Sequence, residues 1–401
     1  MSPVNEAAGV PMSTPVAPRI ALIRQRYTRF GGAERFVAGA LEALVARGAR
    51  LSVITRHWQH QPGVEAIGVN PFHWGRVWRD WSFARAACRV VEARGFDLVQ
   101  SHERIACCDI YRAGDGVHRM WLQRRAAGGG WRARLGQWLS PYHHYVLRAE
   151  RRLFASPRLK AVICNSSMVR DEIVQCFGVP ESRIEVIYNA VDLERFSPML
   201  RTRFRQATRT RLGVPDAAMV YLFVGSGFAR KGLETAIRAL AALPTHCCLV
   251  VVGKDRSAAR FRRLAKRLGL ASRVFFTGPQ DDAAPYYGMA DAFVLPTLYD
   301  PFPNVVLEAL ACGLPVVVSD SCGAVDIIRD GENGFVCGAL DAEALATRMR
   351  RLMDAELRAK LLPISRALVE QWQPERMSAQ LLALYRRILA TTGQEKDSPD
   401  R

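Results

Sequence analysis

Asp300 and Glu308 are separated by seven residues, and between them lie a turn broken by Pro301 and Pro303 and the start of a short amphipathic stretch, 305–311. The apolar run 293–295 precedes the turn, and Gly313-Leu314-Pro315 stops the helix before 316–318. The pattern predicts strand, turn, helix, strand. A helix start at the carboxyl end of a strand offers free N–H groups, here those of Asn304 and Val305, and the positive end of the helix dipole. Together they favour an anion. Pro303 has no N–H to add. Asp300 lies just before the helix and Glu308 about one turn into it, so both carboxylates can face a ligand lying across the helix start. Carboxylates accept hydrogen bonds from vicinal hydroxyls. An anion site between two diol acceptors suits a nucleotide sugar, whereas a plain strand–helix unit with surface acids would give the same local pattern.

Two further groups invite the same chemistry. A strand expected at 220–224 runs into Gly225-Ser226-Gly227-Phe228-Ala229-Arg230-Lys231-Gly232. Adjacent cations at a glycine-flanked turn neutralise a diphosphate, arginine as a fork and lysine as a point charge. A solvated Arg-Lys pair is the plainer alternative. Ala113-Gly114-Asp115-Gly116-Val117-His118 ends another strand, and polar groups at the carboxyl end of a parallel strand point into the crevice of a doubly wound fold. Asp115 is the main candidate there, because a lone histidine such as His118 usually has a structural job.

The elements that must position these groups follow a strand–helix rhythm. An apolar strand at 18–23 leads to Gly31-Gly32, which opens a helix with Phe36, Val37, Leu41 and Leu44 at helical spacing. That order opens a Rossmann-like domain, in which glycines let backbone N–H groups approach a diphosphate. Arg24, Arg26 and Arg29 crowd the same loop, where they meet either a phosphate or solvent. Strands are expected at 51–55, 97–100, 110–113, 161–164 and 185–187, and again at 249–253, 274–278 and 292–295. The fold class is therefore α/β with parallel, doubly wound sheets. A chain of 401 residues is long for one core and predicts two domains. The expected divisions are a flexible tail at 1–17, a first domain at 18–200, a second at 201–372, a helix at 373–390 and a tail at 391–401. The polar, Arg-rich stretch 196–215 has no sustained apolar run and reads as the linker.

The net charge of +18 (56 − 38) and a pI near 10.0 call for an anionic partner: nucleic acid, an acidic membrane surface or a phosphorylated substrate. No recognised nucleic-acid module accompanies the charge. No window reaches the roughly 18 consecutive apolar residues of a membrane span, and residues 1–17 lack the basic start and apolar core of a signal peptide. A cytoplasmic location is expected. The ten cysteines form no Cys-x-x-Cys pair and read as reduced thiols of the core. No acidic cluster suggests a metal. Three tryptophans alternate with Arg and His at 72–89, and three more at 118–138, where Gly128-Gly129-Gly130 interrupts the run. Aromatics beside cations suit the headgroup zone of an anionic membrane. The first stretch reads as an amphipathic helix with its tryptophans in the core. The second, with Trp121, Arg124 and Arg125, reads as a mobile membrane-facing loop.

Asp300, seven residues and Glu308 resemble the signature of family 4 retaining glycosyltransferases of the GT-B fold, usually written with Glu at the first position. The turn at Lys231, the phrase Val162-Ile163-Cys164-Asn165-Ser166 and the phrase Val186-Ile187-Tyr188-Asn189-Ala190-Val191-Asp192 are similar to that family too. The likeness runs from 18 to 390. It implies two Rossmann-like domains facing across a cleft, with the last helix crossing back to the first domain. It implies that Arg230 and Lys231 hold the nucleotide diphosphate, Glu308 the ribose and Asp300 the sugar hydroxyls, that the turn at Gly278 borders the base, and that Gly31, Gly32 and Gly225 line the donor. Asp115 is placed near the anomeric carbon and acceptor hydroxyl, with His118 contributing there or meeting solvent or a lipid phosphate. The phrases at 228–244 and 251–278 resemble the branch that glucosylates lipopolysaccharide core. The expectation is a monomeric, metal-independent, retaining hexosyltransferase without cofactor, carrying glucose from UDP-glucose to an anionic glycolipid at the inner membrane face. Transfer of another sugar, a UDP-N-acetylglucosamine 2-epimerase, an inactive nucleotide-binding subunit and, last, a nucleic-acid binder are the alternatives.

Overall fold

Runs of Val, Ile and Leu with no polar alternation need cover on both faces, which is the habit of parallel strands flanked by helices. The computed structural model, which describes residues 17–26, 48–58, 63–129 and 131–396, has two such sheets. The first contains β1 (Arg19–Ile23), β2 (Arg50–Thr55), β3 (Val64–Gly68), β4 (Leu98–Ser101), β5 (Ile110–Arg112), β6 (Ala161–Cys164) and β7 (Ile184–Val186), in the order β3-β2-β1-β4-β5-β6-β7. The second contains β8 (Met219–Val224), β9 (Cys247–Val252), β10 (Val274–Gly278), β11 (Ala292–Leu295), β12 (Val316–Ser319) and β13 (Gly334–Cys337), in the order β10-β9-β8-β11-β12-β13. Every pairing is parallel. The chain therefore folds as two Rossmann-like α/β domains. In each sheet the strand order reverses once, between β1 and β4 and between β8 and β11. Ligands of such sheets bind outside the carboxyl ends of the strands at that reversal.

The helix Pro374–Lys396 lies against the first sheet, where Met377, Leu381, Tyr385 and Ile388 share a core with Ile20, Leu22, Val53 and Ile163. Its Tyr385 hydroxyl donates to Gln100 Oε1 at 2.8 Å. This helix runs to Lys396, into the stretch read from sequence as a tail, and a helix at Ala355–Val369 went unread before it. β3 is likewise an addition to the strands expected. Residues 1–16 and the Gly31-Gly32 helix opening fall outside the described residues.

The stretch read as a linker is instead a helix, Met199–Leu212, bound to the second domain. Leu200, Phe204 and Leu212 pack against the second core, and a cluster of arginines fixes the helix there. Arg201 and Arg205 donate to Asp291 Oδ1 at 3.2 and 2.9 Å, and the fully buried Arg209 donates to Oδ2 at 2.7 Å. The Val220 N–H reaches the same carboxylate at 2.9 Å. Burial opposes the charge on Asp291, but Arg209 above all holds the carboxyl below its usual range.

Two other expectations are corrected. Cys88, on the helix Gly75–Arg94, and Cys107, in the loop before β5, form a disulfide; tertiary packing brings their Cα atoms to 5.7 Å, inside bridging range. In the same helix the aromatic face points outward: Trp74, Trp78 and Trp81 are 84, 44 and 46 % exposed, while Phe83, Ala87 and Val91 carry the packing. The i, i+4, i+7 spacing was genuine, but it belongs to the solvent side.

Candidate active site

Both strand-order reversals open onto one cleft between the domains. Its second-domain wall begins where β8 ends. Gly225, at φ 149°, leaves room for Lys231: a Cβ there would stand 2.6 Å from Lys231 Cδ. Gly232, at φ 78°, passes so close to the Pro296 carbonyl that no side chain fits. The basic turn is thereby pressed against the loop after β11. The Arg230 carbonyl accepts from Leu298 N–H at 2.7 Å and Thr297 Oγ1 at 3.0 Å. Asp255 steadies the turn from below by accepting from Phe228 N–H at 2.7 Å.

Arg230, Lys231 and Asp300 come together. Arg230 NH1 lies 3.1 Å and Lys231 Nζ 3.2 Å from Asp300 Oδ2. Asp300 and Lys231 are buried and Arg230 is half-exposed. Burial would push the Asp300 carboxyl up, but Lys231, then Arg230, outweigh it and hold the group below the ordinary carboxylate range. The helix Asn304–Ala311 starts four residues on, with Pro303 at its N-cap position. Glu308 is buried one turn in and accepts from the Tyr287 hydroxyl at 2.8 Å. Tyr287 comes from the helix Ala284–Met289, so Glu308 is tied to the segment that follows Gly278. Gly278 itself, at φ 76°, closes β10, and its carbonyl accepts from Gly253 N–H at 2.9 Å.

The facing wall is built by the first domain. Asp115 sits between Gly114 and Gly116 beyond β5, its side chain 82 % exposed and 3.9 Å from Arg104 NH1. It lines a cavity of about 310 Å³ with Arg24, Glu103, Asn165, Asn189 and, from across the cleft, Phe302 and Asn304. Asn189 Nδ2 reaches over to Asn304 Oδ1 at 2.6 Å and the Phe302 carbonyl at 3.1 Å, while its Oδ1 accepts from Arg112 at 2.7 Å. A first-domain asparagine thus touches the start of the candidate donor helix. Beside the cavity, burial raises the pKa of Glu103, with Asp115 adding to the effect against a hydrogen bond from Gln25 N–H. Burial, then Arg112 and Arg24, keep His102 well below its usual value.

The remaining candidates separate. His118 begins the helix His118–Ala127, with Nε2 3.1 Å from His143 Nδ1 and its ring stacked on Trp121. Burial first, with Arg104 and His143, lowers its pKa to about 3. Arg125 lies over the Trp121 ring, 5.0 Å from its centroid, and is exposed. Arg124 does not face a membrane: it donates to Glu172 at 3.2 Å and stacks on the ring of Tyr299. Gly31 and Gly32 lie outside the described residues. Asn189, Tyr287 and Tyr299 were given no role of their own from sequence: Asn189 and Tyr299 meet partners more than 100 positions away and Tyr287 one 21 positions away, so nothing local marks the contact. Among the described residues no group of His, Cys, Asp and Glu is placed to hold a metal ion.

The family model described as glycosyl transferases group 1 matches residues 204–366, and that of glycosyltransferase family 4 matches residues 30–195. The chain belongs to the group 1 glycosyltransferases of the GT-B fold. Among relatives, it is 29 % identical over 340 residues to the lipopolysaccharide core biosynthesis glycosyltransferase LpsE of Rhizobium meliloti (strain 1021), covering 82 % of this chain and 88 % of that one. It is 26 % identical over 330 residues to the lipopolysaccharide glucosyltransferase WaaG of Escherichia coli (strain K12), covering 81 % and 85 %. The crystal structure of WaaG, a glycosyltransferase involved in lipopolysaccharide biosynthesis, superposes with a TM-score of 0.76 at 25 % identity, over 90 % of this chain and 98 % of that one.

Proposed function

We propose that this glycosyltransferase moves glucose from UDP-glucose onto the lipopolysaccharide core, with retention at the anomeric carbon, acting as a monomer at the inner face of the cytoplasmic membrane. The observation that carries the reading is the cluster of Arg230, Lys231 and Asp300 at the β8/β11 reversal, opposite Asp115. The similarity to LpsE and WaaG over more than four-fifths of each chain supports the acceptor class.

In this mechanism the diphosphate takes the place of Asp300 as partner of Lys231 and Arg230, and the N–H groups of Asn304 and Val305 meet its oxygens. As the bond from C1 to the diphosphate breaks, charge grows on the leaving oxygen, where preorganised cations act most strongly. Glu308 holds the ribose and Asp300 the sugar hydroxyls. A double displacement needs a carboxylate close beneath the ring, and none is assigned that role. The acceptor hydroxyl attacks C1 on the same face, and its proton passes to the departing β-phosphate oxygen. Asp115 orients that hydroxyl.

The exposed row Trp74, Trp78 and Trp81, with Phe72 beside it and Arg85 and Arg89 on the same side, supports contact with an anionic membrane. No helix among the described residues is long and apolar enough to cross one. The test is to offer UDP-glucose, UDP-N-acetylglucosamine, UDP-galactose and GDP-mannose with truncated lipopolysaccharide, scoring released nucleotide and the anomeric configuration of the product. UDP release with UDP-glucose and an α-linked product are expected. Preference for another donor, or an inverted linkage, refutes this reading.

A further inference from the structure

The residue before Asp300 does not belong to its own domain. Tyr299 leaves the donor-side turn and buries its ring in the first domain, with 2 % of its surface exposed. Its hydroxyl accepts from Val117 N–H at 2.8 Å and donates to Glu172 Oε2 at 2.6 Å. Arg124 covers the ring, 5.4 Å from its centroid, and donates to the other oxygen of Glu172 at 3.2 Å. The ring is therefore held through a fully used hydroxyl and a cation on its face, which fix direction as well as distance.

Gly116 makes room for this. It stands at φ +68°, and a Cβ there would lie 2.1 Å from the Tyr299 hydroxyl and 2.9 Å from Pro301 Cγ. The turn that carries Asp115 is thus shaped around a tyrosine from the opposite domain. On the other side, the Tyr299 carbonyl accepts from Arg230 NH1 at 2.8 Å. One residue therefore touches the arginine assigned to the diphosphate with its backbone and the Asp115 turn with its side chain.

We infer that Tyr299 is a positioning residue, locking the Asp115 turn against the donor-binding turn so that the group near the acceptor hydroxyl is set by the same segment that holds the donor. This rests on the reading of the cleft as a glycosyl-transfer site. Tyr299 touches neither donor nor acceptor. Its removal leaves Val117 N–H without its acceptor and frees the turn bearing Asp115, while Lys231, Asp300 and Glu308 keep their partners.

The experiment compares wild type with Tyr299→Phe for UDP binding by calorimetry, for turnover of UDP-glucose with truncated lipopolysaccharide, and for hydrogen exchange at the Val117 amide. The expected signature is a UDP Kd within about twofold of wild type and a kcat roughly tenfold lower, the rate equivalent of one lost buried hydrogen bond. The Val117 amide exchanges faster in the variant. Gly116→Ala attacks the lock from the other domain and gives the same split between kcat and UDP affinity. Glu172→Gln, which still accepts from the tyrosine, retains more activity than Glu172→Ala. Wild-type kcat and unchanged exchange in Tyr299→Phe overturn the inference, as do equal losses of UDP affinity and kcat in both Tyr299→Phe and Gly116→Ala. A wild-type protein that binds no UDP overturns the functional reading beneath it, a result distinct from either.

Discussion

Replacing Lys231 by methionine separates its structural role from its proposed chemical one. The Lys231 and Asp300 side chains are each 10 % exposed and 3.2 Å apart, whereas the second cation on that carboxylate, Arg230, has a side chain 37 % exposed. Removing one partner of a buried ion pair costs about 3–5 kcal/mol, because the other charge is left uncompensated. Arg230 still faces Asp300, so the lower end, about 3 kcal/mol, applies. In a domain of ordinary size that is a fall of roughly 6–12 °C in Tm. The chemical loss is separate: a missing preorganised donor at the leaving group lowers kcat by roughly 10²–10³. Adding Asp300→Asn removes the stranded charge, so the double variant should regain most of its Tm while its turnover stays low. Thermal unfolding followed by circular dichroism and UDP release from UDP-glucose read the two effects. Wild-type turnover in Lys231→Met, or a double variant that regains activity along with stability, refutes the reasoning.

Glu308→Gln keeps a partner for the Tyr287 hydroxyl but weakens the acceptor offered to the ribose, so KM for the donor should rise roughly tenfold with a smaller change in kcat; steady-state kinetics check the split. Asp291→Asn leaves Arg201, Arg205 and Arg209 without their shared carboxylate, and unfolding by urea should show a loss of about 3–5 kcal/mol. His118 has a folded pKa of about 3 against an ordinary 6.5, so the unfolded state takes up its proton first. Stability therefore falls progressively as the pH drops below about 6.5 and levels off only near 3, where the folded ring also takes up its proton. With the discount due to a half-buried ring, stability should drop by about 1 kcal/mol between pH 7 and pH 5, and His118→Phe should flatten that part of the pH–Tm profile.

The candidate site was legible where its chemistry is local. Asp300, Glu308 and the Arg230-Lys231 turn are marked by prolines, glycines and spacing that act within a dozen residues, and the two sheets announce themselves as unbroken apolar runs such as β8 and β9. What escaped was set by distant partners. The helix Met199–Leu212 has only Leu200, Phe204 and Leu212 to face the core among its arginines, and its anchor Asp291 lies far along the chain. Trp74, Trp78 and Trp81 have the spacing of a core face, and only the packing of Phe83, Ala87 and Val91 reveals which side is buried. Cys88 and Cys107 are 19 residues apart in a pattern that no spacing rule flags. Tyr299 reads as an ordinary turn aromatic until the first domain is in place around it.

A crystal structure of the protein with UDP-glucose tests the central claim most directly. The account predicts the diphosphate against Arg230, Lys231 and the N–H groups of Asn304 and Val305, the ribose on Glu308, and the anomeric carbon turned toward Asp115. A nucleotide bound at another cleft, or in this one with its diphosphate away from Lys231, would contradict it.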